Sequence, residues 1–213
     1  MKKFSILLVG LMLLSVFLSA VESEPSAIVG YVAYECQTGE RANNNFIAMP
    51  LQSEYTRAKE LGLAYEEKIN VVSNWLPESQ AWESQLFDGD FWMGTDFDIY
   101  AGHAYMISVY EEGRFYCVGE LVEQPQYDLI LGSTSDNNFI MVPLNRPDLD
   151  KASVLGEEIG VVNAVNTWAA TAQAWNSTFY DELEDVWLGE DFSLTTATPV
   201  MIGITTPTVW PKD

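Results

Sequence analysis

The order of apolar and polar residues along the chain predicts a mainly β protein with short helices. β-branched and aromatic runs bounded by turn-forming residues predict strands at residues 28–34, 46–49, 69–75, 80–87, 97–100 and 105–110. Apolar residues at helical spacing follow Ser53 to about residue 63, and the same pattern follows Asp148 over residues 149–159. Ser and Asp are good N-cap residues, so each segment predicts one short capped helix.

The same series of motifs occurs twice, 93 residues apart in its first part. Asn-Asn-Phe-Ile followed by Pro-Leu stands at residues 44–51 and 137–144, and a Trp followed by Gln-Ala-Trp stands at 75–82 and 168–175. A Val-Gly pair at 29–30 and another at 118–119 suggest where each copy begins. The sequence therefore predicts two tandem modules, residues 27–112 and 113–213, with residues 208–211 opening a third copy that stops.

The predicted fold class is α+β, mainly β with one short helix per repeat. It consists of two tandem homologous modules, each like a β-sandwich or a β-barrel. Each module is long enough to bury a core of its own.

The N-terminus predicts export from the cytoplasm. Lys2 and Lys3 precede an apolar run at residues 4–18 that ends at small residues, the three-part pattern of a signal peptide over residues 1–20 with cleavage after Ala20. The run has about 15 residues, fewer than the roughly 20 that a spanning helix needs. A retained N-terminal anchor is the alternative. The predicted location is secreted, extracellular or at the cell surface, with the periplasm as a further option.

Charge narrows the range of partners. The chain has 31 Asp and Glu residues against 10 Lys and Arg, a formal net charge of −21. Such a field repels phosphate backbones, so nucleic acid and anionic membrane surfaces are poor partners and no nucleic-acid partner is expected. No segment after residue 20 is long and apolar enough to span a membrane, so no membrane insertion of the mature chain is expected. Apolar residues make up 48% of the chain, which predicts a folded protein rather than a disordered one.

The repeated motifs resemble those of a loosely defined group of bacterial secreted and cell-surface proteins. The resemblance lies in Asn-Phe-Ile-Ala-Met-Pro-Leu at residues 45–51, the tryptophan hairpin, and Ala-Gly-His-Ala-Tyr-Met-Ile at 101–107. Members carry tandem β-rich repeats with the pattern Asn-x-Ile-x-x-Pro-Leu, a Trp hairpin and Gly-x-x-Tyr, and most have no assigned activity. The resemblance implies a fold and a location outside the cell. It implies no catalytic residue.

Two cysteines are an even number in an exported chain, where disulfides persist. Cys36 and Cys117 lie near the two Val-Gly strands, so a Cys36–Cys117 bridge would join the two copies if those strands pair. The alternative is two buried free thiols. Two cysteines and one histidine lack the ligand spacing of a zinc site.

An acidic loop is the candidate metal site. Asp88, Asp90, Asp96 and Asp98 place four carboxylates on a short segment that contains glycine. Calcium takes six to eight oxygen ligands in flexible geometry, so Ca²⁺ is the candidate ion, although the spacing is not that of an EF-hand. The alternative is a solvated acidic loop. No cofactor is required.

Tryptophans are the candidate ligand-binding residues. Trp75 and Trp82 flank one hairpin turn, and Trp168 and Trp175 flank the other. Exposed, coplanar rings would stack on carbohydrate, whereas packed rings would form part of the core. Both interpretations are open at this point.

Catalytic motifs are lacking in the sequence. His103 is the only histidine, and no Gly-x-Ser-x-Gly elbow accompanies it. The predicted function is a non-enzymatic, secreted or cell-surface structural or interaction protein that contacts itself, another surface protein or an extracellular glycan. The first alternative is a carbohydrate-binding module, and the second is a glycosidase with a carboxylate pair.

Overall fold

Fourteen strands and two helices form in the part of the chain that the computed structural model describes, which is residues 29–40, 42–65, 68–123 and 125–211. The predicted signal peptide at residues 1–20 lies outside these residues. Within them, no helix is long and apolar enough to cross a membrane.

The elements fall into two similar sets, which we name the first half (residues 29–120) and the second half (residues 127–210). The first half contains β1 (Val29–Cys36), β2 (Asn44–Ala48), α1 (Ala58–Ala64), β3 (Ile69–Leu76), β4 (Ala81–Phe87), β5 (Trp92–Gly94), β6 (Ala104–Val109) and β7 (Gly113–Glu120). The second half contains β8 (Tyr127–Leu129), β9 (Asn137–Met141), α2 (Ala152–Ile159), β10 (Val162–Ala169), β11 (Ala174–Asp181), β12 (Val186–Gly189), β13 (Pro199–Ile204) and β14 (Thr208–Trp210).

Each half contains one five-stranded antiparallel sheet and one two-stranded antiparallel ribbon. The sheets have the strand orders β2-β6-β3-β4-β5 and β9-β13-β10-β11-β12, and the ribbons are β1-β7 and β8-β14. The predicted mainly β class is confirmed. Both tryptophan hairpins form as expected, with Trp75 opposite Trp82 and Trp168 opposite Trp175.

Strand pairing divides the chain at a different point from the predicted boundary at 112/113. β7 pairs with β1 along its whole length, from Val29–Glu120 to Cys36–Gly113, and therefore completes the first half. Residues 208–210 pair with β8 and complete the second half rather than opening a third copy. Gly30 and Gly119 are partners across one ribbon, so the two Val-Gly pairs do not mark equivalent places in two copies.

The first helix begins four residues later than the sequence predicts, and the second begins three residues later. Their N-cap residues are Arg57 and Lys151, and neither makes a side-chain cap hydrogen bond, whereas Ser53 and Asp148 lie outside the helices. The first-turn N–H groups instead donate to carboxylates from a distant loop: Lys59 N to Asp96 at 3.0 Å and Ser153 N to Asp191 at 2.9 Å. These caps come from 37 and 38 residues away, so they leave no signal in the sequence beside the helix start. The first helix also has a local cap, because Glu60 Oε2 accepts from the backbone N–H of Arg57 at 3.2 Å.

One tryptophan packs on each helix at a glycine. The rings of Trp92 and Trp187 lie where a Cβ at Gly62 or Gly156 would stand, so a larger residue would overlap them. This contact explains why Leu-Gly and Trp recur together in the two copies. Both glycines are buried, and each lies beside a buried leucine, Leu61 or Leu155.

Replacing Gly156 with alanine should lower the stability of the protein, whereas the same change in most helices raises it. Gly→Ala in a helix interior ordinarily stabilises by about 0.5–1 kcal/mol. We expect Gly156→Ala to destabilise by about 1–3 kcal/mol, because the new methyl group must displace the Trp187 ring. Urea unfolding measures the difference, and Glu157→Ala on the exposed side of the same helix is the control, with an expected change below about 0.5 kcal/mol. A stabilised Gly156→Ala variant would contradict the contact.

Candidate functional site

The two tryptophan hairpins meet at the contact between the halves. Trp75 of the first half donates its Nε1–H to the carbonyl oxygen of Asn137 at 2.9 Å. Trp168 of the second half donates to the carbonyl oxygen of Asn44 at 2.7 Å. The two bonds are reciprocal, because Asn44 and Asn137 are the first residues of the equivalent strands β2 and β9.

A glutamine beside each tryptophan completes this contact. Gln173 Oε1 accepts from Asn44 N at 2.8 Å, and its Nε2 donates to Asn44 O at 3.0 Å. Gln80 makes the same pair of bonds with Asn137, both at 3.0 Å. β2 and β9 are edge strands of their sheets, so each glutamine side chain supplies the partner that an edge backbone would otherwise lack. Both glutamines hold positive φ angles, 52° and 51°, a strain that the bonds offset.

Aromatic rings fill the space between the two hairpins. Phe139 stacks on Trp75 at 5.4 Å between centroids, and Phe46 meets Phe139 edge-on at 5.0 Å. The tryptophan pairs are not coplanar, with 71° between Trp75 and Trp82 and 74° between the equivalent rings of the second half. Trp82 is 42% exposed, whereas the other three ligand-binding candidates are half-buried. The structure therefore brings all four rings to one place, but not as a flat platform.

Two tyrosines add a second reciprocal pair of bonds. Tyr34 Oη donates to the carbonyl oxygen of Ala197 at 3.0 Å, and Tyr127 Oη donates to that of Gly102 at 2.6 Å. Each tyrosine reaches from the ribbon of one half into a loop of the other. Burial raises the pKa of both phenols, so both stay protonated and able to donate.

The four carboxylates predicted to bind calcium do not form one cluster, because they lie at two separate places in the structure. Asp88 Oδ1 accepts from Asp90 N and Phe91 N and shapes the β4–β5 turn. Asp96 caps α1 and lies 3.5 Å from the Arg57 guanidinium, which also pairs with Asp98 at 2.5 Å. Among the described residues, no three His, Cys, Asp or Glu side chains form a group able to hold a metal ion. Calcium binding stays a prediction without a site to support it.

The two cysteines are free thiols, which corrects the predicted bridge. Their strands pair, but Cys36 stands opposite Gly113 and Cys117 stands opposite Val32. An offset of four residues separates their Cα atoms by about 13 Å, beyond the roughly 7 Å that a disulfide allows. Burial raises the pKa of each thiol to about 11.

A cavity of about 320 Å³ opens beside the contact. His103 lines it with its ring 5.5 Å from that of Tyr100 and 6.3 Å from that of Tyr127. Among the residues that the structure describes, the lining contains one carboxylate, Asp128, and no serine or cysteine. The carboxylate pair that the glycosidase alternative requires is not assembled in this cavity.

Apolar side chains remain exposed at the outer end of each hairpin. We name these surfaces the hairpin faces, defined in the first half by Leu86, Phe91 and Met93 and in the second half by Phe179, Val186 and Leu188. Leu86 stands opposite Met93, and Phe179 stands opposite Leu188, at equivalent positions. The most exposed are Phe91 at 72% and, in the turn beside the second face, Leu183 at 94%.

No family model, curated protein or solved structure matches this chain.

The sequence interpretation missed the residues that join the halves and those that stay exposed. Gln80 and Gln173 were visible as part of the repeated Gln-Ala-Trp motif, and their recurrence was the available signal. The hairpin faces carried a weaker signal, because positions 86, 91 and 93 are apolar in both copies although the residue types differ.

Removing one glutamine should loosen the contact between the halves. Gln173→Ala deletes its bonds to Asn44 and leaves the N–H of that residue without this acceptor, so we expect a loss of about 1–3 kcal/mol in the free energy of unfolding. Asn176→Ala, an exposed residue on the same hairpin, is the control and should change stability by less than about 0.5 kcal/mol. Equal effects of the two variants in urea unfolding would refute the role of Gln173.

The thiols should be inert in the folded protein. With pKa values of about 11, neither cysteine forms much thiolate at pH 8, and both are buried. We expect a thiol-reactive dye to label no cysteine in the native chain and two cysteines in guanidinium chloride. Absorbance of the released dye measures both states. Recovery of a peptide linked through Cys36 and Cys117 from protein digested without reductant would contradict the observed register.

Proposed function

We propose that this protein is a non-enzymatic interaction protein that binds other polypeptides through its two hairpin faces. The observation that carries the proposal is that both faces stay apolar at equivalent positions while the residues change, from Leu86 to Phe179 and from Met93 to Leu188. Exposed apolar side chains grouped on one surface are typical of interaction sites in soluble proteins. Chance divergence after a duplication would instead replace exposed apolar residues with polar ones.

The internal contacts support a scaffold role. The tryptophans, glutamines and tyrosines of the contact hold the two halves against each other. Five of the six residues that define the hairpin faces lie on strands, and Phe91 lies in the turn between β4 and β5. In this proposal the two halves are homologous modules, each a sandwich- or barrel-like unit with one helix. The predicted signal peptide and the family resemblance support a secreted or cell-surface location.

Carbohydrate binding is the second candidate. The exposed part of Trp82 supports it, because one accessible indole face can stack on a sugar ring. The angles within the tryptophan pairs and the bonds of Trp75 and Trp168 to the opposite half weigh against it. Trp82 alone would offer a smaller platform than the four rings that the sequence suggested.

Photo-crosslinking in the producing cells tests the proposed function. A benzophenone amino acid placed at Leu86 or Phe179 should form covalent adducts with another polypeptide on illumination, visible as bands of higher mass. The matched control is the same amino acid at Leu63, which is 49% exposed on α1 and outside both faces. Adducts at positions 86 and 179 but not at 63 support the proposal. Adducts at none of the three positions, or equally at all three, refute it.

A further inference from the structure

Both hairpin faces lie in segments that contain no positive charge. Residues 69–113 and residues 152–211 each contain eight Asp or Glu residues and no Lys or Arg. Asp88 and Asp90 stand in the turn beside the first face, and Glu182, Glu184 and Asp185 stand in the turn beside the second. All five are exposed. Each apolar face is therefore bordered by carboxylates.

This arrangement disfavours a second copy of the chain as the occupant. Two such faces would bring like charges together, which is repulsive. The cationic side chains of another copy are mostly engaged as well, since five of the six in the described residues form ion pairs within the chain: Arg57, Lys68, Arg114, Arg146 and Lys151. Little positive surface is left for the acidic borders of a neighbour.

We propose that each hairpin face binds a cationic amphipathic polypeptide segment, with its apolar side chains on the exposed hairpin residues and its Lys or Arg side chains on the bordering carboxylates. This inference rests on the proposed function and identifies the class of partner for the same surfaces. β5 and β12 are edge strands, so an extended segment with alternating apolar and basic residues fits their geometry. The long stems of Lys and Arg can cover apolar surface while their charged ends reach the carboxylates.

Two equivalent faces on one chain predict two binding events. A partner that presents several such segments would be held by both halves at once, and its affinity would rise through effective concentration without any new kind of contact. This feature distinguishes the proposal from general attraction of basic chains to an acidic protein, which has no defined stoichiometry.

Isothermal titration calorimetry with synthetic peptides tests the inference on the mature chain, residues 21–213. The probe is a short peptide of alternating lysine and valine. Three comparison peptides replace lysine with glutamate, lysine with glutamine, or valine with serine. We expect two molecules of the lysine–valine peptide per chain, weaker binding of the glutamine–valine and lysine–serine peptides, and no binding of the glutamate–valine peptide.

Variants connect binding to the faces. Leu86→Ser with Met93→Ser should reduce the stoichiometry from two to one, whereas Leu63→Ser should leave it at two. Asp88→Asn with Asp90→Asn should weaken binding at the first face by about three- to tenfold, and the asparagine at 88 keeps the oxygen that shapes the turn. The charge-matched control is Glu40→Gln with Glu123→Gln, two exposed carboxylates outside both hairpins.

The outcomes separate this inference from the proposed function. Equal affinity of the glutamine–valine and lysine–valine peptides, with loss on Leu86→Ser and Met93→Ser, would keep the faces as binding sites and overturn the cationic partner. Binding of the lysine–valine peptide that is unchanged by the serine variants would overturn the assignment to the faces. Calcium-dependent dimers in sedimentation velocity that the same serine variants abolish would replace the cationic partner with a second copy.

Discussion

The structure depends on how two exposed sheet edges are closed. β2 and β9 each end a five-stranded sheet, and the backbone of their first residue, Asn44 or Asn137, has no neighbouring strand on that side. An amide and an indole from the opposite half supply the missing partners. Each half therefore satisfies the first backbone position of the other half's edge strand, and the reciprocal bonds join the two halves into one unit.

This closure decides which aromatic surface is available for function. Every second residue of a strand lies on the same side of the sheet. The pair Val71–Leu86 therefore lies on the same side of β3 and β4 as the pair Trp75–Trp82, farther from the hairpin turn. The opposite half covers the tryptophan end of that side and leaves the outer end exposed. The tryptophans are therefore mainly structural. The apolar residues of the hairpin faces, beside the β4–β5 and β11–β12 turns, form the accessible surface.

The acidic composition has several local roles rather than one. Asp96 and Asp191 cap the two helices, and Asp98, Glu111 and Glu158 pair with basic side chains. The carboxylates beside the hairpin faces have no such cations in their segments. The same residue type thus stabilises helix starts in one place and shapes the charge around an apolar surface in another.

The sequence by itself determined the mainly β class, both tryptophan hairpins and the doubling of the pattern, because strand periodicity and turn residues are local signals. Tertiary structure alone decided that Cys36 and Cys117 stand four residues out of register, that Asp96 and Asp191 cap the helices, and that β7 closes the first half. It also decided that the tryptophans, which the sequence offered as candidate ligand-binding residues, pack at the contact between the halves. These outcomes depend on the pairing of residues far apart in the chain, and such pairing is set by packing and edge satisfaction rather than by local residue order.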